Sequence, residues 1–216
     1  MHPIPIHIYF EVLAFITSAV SWRKLRFSKL RWFFPFLLFI VGVELSGRYI
    51  KRVLHENNAW LYNISVPVEY LFYAFIFLIH YRIRFSKKTA LAFIIGFTLY
   101  VFVINFSKGL KIQFHSSFLL YGSLFMLFFS CLYFYELLRV QEKLILLKEP
   151  MFWIVSGIFL FNAGEFFYNL FFDLLRKNNF DRELKLFSAI NNKLIWVLYT
   201  CFSIAFLWVN RHSRKV

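Results

Sequence analysis

The sequence predicts an all-α polytopic membrane protein, a single bundle of seven transmembrane helices spanning residues 1–216 with no separate soluble domain. Three observations carry that expectation. The chain is 60% hydrophobic and only 17% charged, whereas soluble domains sit nearer half apolar and a quarter charged. Its apolar residues form seven runs of the roughly 20 residues that a membrane helix needs. Trp22, Trp32, Trp60, Trp153 and Trp208 lie at the ends of those runs, as the aromatic belt of a bilayer-spanning bundle requires. A water-soluble core of this size cannot hide so much apolar surface, so the excess must face a lipid bilayer.

The first run, Ile4–Trp22, is broken only by Glu11. No Lys or Arg precedes it and no small-residue cleavage site follows, so it is expected to stay as an anchor rather than leave as a signal peptide. The second run, Trp32–Ile50, carries Glu44 and, one helical turn on, Arg48 at the spacing that permits pairing. The third, Trp60–Tyr81, holds Asn63, Pro67 and Glu69; its proline removes a backbone hydrogen bond and can kink the helix. The fourth and fifth, Thr89–Phe106 and Ser116–Leu138, are the cleanest, and Ser116, Ser123 and Ser130 mark close helix packing on the fifth. The sixth, Met151–Leu175, carries Asn162, Glu165, Asn169 and Asp173. At about 100° per residue these four fall within roughly 80° of one another, a polar stripe on a Phe-rich helix. The seventh, Asn191–Val209, opens with Asn191, Asn192 and Lys193.

Charge sets the expected orientation. The net charge of +14 is spread in short clusters between apolar runs, with no basic helix face, and this argues against a nucleic-acid partner. The segments following the first, third, fifth and seventh runs hold 15 Lys and Arg; the opposite set holds 10, and none precedes the first run. The positive-inside rule then places the N-terminus outside and the C-terminus in the cytoplasm of a multi-pass protein of the cell (inner) membrane. Cys131 and Cys201 fall inside spans without CxxC spacing and read as small buried hydrophobes.

This orientation concentrates ionisable groups in the outer half, while the inner half offers mainly hydroxyls such as Ser18, Ser130 and Ser203. An ionisable residue within a membrane span is costly and marks a functional site by default. The candidate ligand-binding residues are therefore Glu11, Glu44, Arg48, Glu69, Asn162, Glu165, Asn169 and Lys193, lining an outward-facing acidic pocket centred on Glu165. The competing role is structural: carboxylates protonated, paired with Arg48 and Lys193, or hydrogen-bonded to Tyr62, Tyr73, Tyr168 or the asparagines, fixing which helices pack together. Four carboxylates facing two nearby cations leave a surplus that protons or a cationic ligand would balance. No HxxxH or HExxH pair, Gly-rich phosphate loop or nucleophile–base constellation is present, so the sequence implies neither metal nor cofactor and leans away from an enzyme.

Trp32 and Glu44 share the twelve-residue spacing of Trp153 and Glu165. Asn57-Asn58-Ala59-Trp60 likewise pairs with Asn191-Asn192-Lys193-Leu194 in opening the third and seventh runs. Both matches relate runs two and three to six and seven, giving a 3+1+3 plan of parallel repeats with the fourth run as linker. That topology is similar to the SWEET and PQ-loop transporters, although none of the five prolines is followed by glutamine. Two functions follow as expectations. One is a receptor-like sensory subunit that binds a small polar or cationic ligand and signals through a separate protein. The alternative, implied by the resemblance, is a small secondary transporter or proton-coupled carrier in which Glu44 and Glu165 face each other.

Overall fold

The computed structural model describes residues 5–109, 113–139, 146–177 and 185–212. Among them every regular element is helical: α1 (Ile6–Val20), α2 (Trp22–Leu25), α3 (Phe33–Arg52), α4 (Ala59–His80), α5 (Arg84–Lys108), α6 (Ser117–Arg139), α7 (Pro150–Lys177) and α8 (Lys185–His212), with 3₁₀ turns before α3 and α7. Six of these, α3 to α8, are long and apolar enough to cross a membrane. The first predicted run differs. It forms a helix of 15 residues, ends at Ser21, and resumes as the single turn α2. The interruption is slight, because the Ser21 amide still donates to Thr17 O at 3.0 Å and the Leu25 amide to Ser21 O at 2.9 Å.

Local chemistry sets the other boundaries. The Ser28 hydroxyl accepts from the Leu30 amide at 3.1 Å and opens the turn into α3. Asn57 Oδ1 accepts from the Ala59 amide at 2.9 Å where α4 begins. The last residue before the undescribed stretch after α5 is Gly109, at φ 76, a left-handed backbone that glycine adopts without a Cβ penalty. Pro67 sits buried inside α4, which runs through it unbroken although its ring leaves the Asn63 carbonyl without the usual amide donor.

Packing neighbours define a ring. Helix α1 lies between α3 and α8, α8 packs on α7, α7 on α6, α6 on α4, and α4 touches α3 to close the circle. Helix α5 stands outside, packed mainly on α4, and it is the least buried of the six long helices. From mid-bundle to the end where α3 starts and α8 finishes, the ring is filled by aromatic rings. Phe33 packs edge-on against Phe202 and Phe206 at centroid distances of 5.2 and 5.6 Å, and Phe36 stacks on Phe72 at 3.8 Å. Toward the other end the filling gives way to a cavity.

Candidate functional site: an acidic cavity

Glu11, Glu44, Glu69 and Glu165 come from four different helices, α1, α3, α4 and α7, and all four line one cavity of about 300 Å³. The six ring helices each contribute to its wall and α5 contributes nothing. In ring order α3 stands opposite α7, so Glu44 and Glu165 occupy facing walls, with Glu69 on the wall between α3 and α6. The floor is aromatic: Tyr73 lines the cavity and packs edge-on against Phe36 at 5.6 Å and Phe202 at 6.2 Å.

Tyrosine hydroxyls supply the hydrogen bonds that the structure gives these carboxylates. Tyr73 donates to Glu69 Oε1 at 2.7 Å, one turn along α4. Tyr70 donates to Glu165 Oε2 at 3.3 Å, bridging α4 and α7. Tyr62 reaches Glu44 Oε2 only at 3.5 Å, a weak contact at that length. Glu11 is 3% exposed, yet its Oε2 is buried with no hydrogen-bond partner. A carboxylate can accept about four hydrogen bonds, so acceptor capacity at this site far exceeds the donors that fill it.

Two glycines seat two of these tyrosines. A Cβ at Gly122 of α6 would collide with the Tyr70 ring, and one at Gly47 of α3 would come within 2.8 Å of the Tyr62 hydroxyl. A third contact fixes the rim. Asn63, fully buried, donates through Nδ2 to Gln113 O at 2.8 Å and accepts at Oδ1 from the His115 amide at 2.9 Å. The residue held between those two bonds is Phe114, which lines the cavity.

Other candidates from the sequence lie elsewhere. Asn162 and Asn169 turn back on their own helix, donating to Ile158 O at 2.7 Å and Glu165 O at 2.8 Å. This local bonding competes with presentation into a pocket. The side chain of Asp173 lies outside the described residues. Arg48 follows Glu44 by one turn on α3, and its guanidinium Nη1 is buried with no hydrogen-bond partner. Lys193 is exposed and is not part of the cavity wall. Conversely, Tyr70, Tyr199 and Asn191 line the cavity and were not among the site residues read from sequence. Tyr70 and Tyr199 carry no charge and resemble the other aromatic residues of a Phe-rich chain, so only their adjacency to carboxylates in space reveals them.

At the opposite end another buried glutamate behaves differently. Glu136 of α6, 6% exposed, accepts from the backbone amides of Arg82 and Ile83 at 2.7 and 3.3 Å. It thereby ties down the α4–α5 turn just ahead of the α5 N-terminus, where an anion is favoured by the helix dipole. Lys29 Nζ donates to Ile79 O at 2.7 Å near the α4 C-terminus, and Tyr81 donates to Phe129 O at 2.7 Å. Among the described residues, no three His, Cys, Asp or Glu side chains are grouped to hold a metal ion. No family model, no curated protein and no solved structure matches this chain.

Proposed function

We propose that the chain is a receptor-like membrane protein that binds a small polar or cationic ligand in the acidic cavity and passes occupancy to a separate signalling protein. The observation that carries this proposal is the convergence of Glu11, Glu44, Glu69 and Glu165 on one cavity of about 300 Å³, at the small end of ligand pockets. Carboxylates taken from water need partners, and a cationic guest supplies the charge that the walls lack. In this proposal seven helices cross the bilayer. α1 and α2 run from Ile6 to Leu25, and 20 near-helical residues reach about 30 Å, one hydrocarbon thickness. The cavity lies toward the N-terminal end of α1, which the charge distribution assigns to the outside of the cell membrane.

The closed aromatic floor of Phe33, Phe36, Tyr73 and Phe202 favours one-sided access over passage. One observation favours the transporter alternative. Ring order, α1–α3–α4 followed by α6–α7–α8 with α5 outside, is the arrangement that two parallel three-helix units and a linker would give. Purified protein in lipid nanodiscs, titrated with small cations and neutral polar compounds while intrinsic fluorescence is followed, tests the binding proposal. Saturable binding of a cation that replacing Glu11, Glu44, Glu69 and Glu165 together by glutamine weakens supports it; identical responses of wild type and variant would sink it. Uptake by proteoliposomes separates transport from sensing.

A further inference from the structure

The cavity walls say more about the guest than its charge. Among the residues that line the cavity, the orphan acceptors sit on one side. Glu11 Oε2 on α1 and Asn191 Oδ1 on α8 are both buried without a hydrogen-bond partner, and both residues line the cavity on helices that are ring neighbours. These helices are held in register by Phe10 stacked on Trp196 at 5.6 Å. A buried acceptor left unmade costs free energy unless something donates to it. Both atoms accept, so they call for N–H or O–H donors as well as positive charge.

The far wall differs. On α6 and α7, Leu119 and Phe161 face the cavity, and Glu165 already receives the Tyr70 hydroxyl. Phe114, held by the two Asn63 bonds, adds a third apolar surface. An inorganic cation wants several oxygens converging on one point, and the acidic side chains are not so grouped among the described residues. A guest with one polar head and one apolar body matches the two walls.

We propose that the cavity takes a small organic amine whose N–H-bearing ammonium head docks between Glu11 and Asn191, with its apolar body against Phe114, Leu119 and Phe161. This rests on the cationic-ligand proposal above and narrows it. The head's N–H groups fill the two orphan acceptors, its charge is shared by Glu11, Glu44 and Glu69, and the body displaces water from the α6–α7 wall. A quaternary ammonium carries the charge but no donor, and leaves both orphans unmade.

The test uses the full-length protein in nanodiscs and three probes with one body: 2-phenylethylamine, its N,N,N-trimethyl analogue and 2-phenylethanol. Binding is read by calorimetric titration, with sodium, potassium and calcium chlorides as inorganic controls. The amine is expected to bind roughly tenfold to a hundredfold more tightly than either analogue, as one or two charge-assisted hydrogen bonds dictate. Glu11→Gln and Asn191→Ala should each cut that preference, and the two variants together guard against one failing to fold. Equal or tighter binding of the trimethyl analogue, or binding of an inorganic cation alone, overturns the amine head while leaving a cationic site standing. Binding of the alcohol alone, or of no probe and no ion, overturns both.

Discussion

Glu136 and Glu11 are both buried glutamates on apolar helices, at opposite ends of the bundle, and they live by different rules. Glu136 accepts two backbone amides and closes a turn, so every atom of the arrangement has a partner within the fold. Glu11 faces a cavity with one oxygen unmade, and Glu44 and Glu69 line the same cavity. The first pattern is what a structural carboxylate looks like. The second leaves an acceptor unfilled within the fold, and in the proposed function that acceptor is held for a guest.

Substitutions sharpen the contrast, beginning with the largest effect. Glu136→Leu leaves the Arg82 and Ile83 amides without their acceptor and should cost about 3 kcal/mol, at roughly 1.5 kcal/mol or more per charge-assisted bond. Unfolding in mixed micelles would measure this, and ligand affinity should hardly change. Asn63→Ala removes both bonds that pin Phe114 and should cost about 2 kcal/mol, with faster ligand release seen by stopped-flow fluorescence. Gly122→Ala forces Tyr70 away from its seat, for about 1–3 kcal/mol of overpacking and a measurable loss of affinity through Glu165. Lys193→Ala, at an exposed position off the cavity wall, should stay within about 0.5 kcal/mol and leave affinity unchanged. A large Lys193 effect would mean that the cavity extends further along α8 than its present lining.

Helix positions were legible because hydropathy is a property of the chain itself. The predicted run Thr89–Phe106 falls inside α5, and Trp60–Tyr81 matches α4 to within a residue at each end. The cleanness of the fourth run also proves informative: α5 carries no charged residue between Lys88 and Lys108, and it stands outside the ring, exposed where the others are buried. The first run was harder. Composition cannot foresee that Ser21 breaks the helix after Val20. Within the site, four carboxylates were visible as isolated exceptions in apolar runs, but rotamer choice was not. Asn162 and Asn169 share a helix face with Glu165, yet their amides bond one turn back along α7. Arg48 has the spacing to pair with Glu44, yet the hydroxyl that reaches that carboxylate is Tyr62, and only at 3.5 Å. Such outcomes depend on neighbours from distant helices, which one-dimensional periodicity does not encode.

The central claim is that the four cavity glutamates are held for a guest and not for the fold. Replacing Glu11, Glu44, Glu69 and Glu165 together by glutamine and measuring unfolding in mixed micelles tests it most directly. Because these side chains hold so few of the bundle's bonds, the quadruple variant should unfold at the same or higher denaturant concentration than the unliganded wild type. A loss of several kcal/mol, comparable to or beyond that of Glu136→Leu, would show that the carboxylates bind the helices together and would contradict the account.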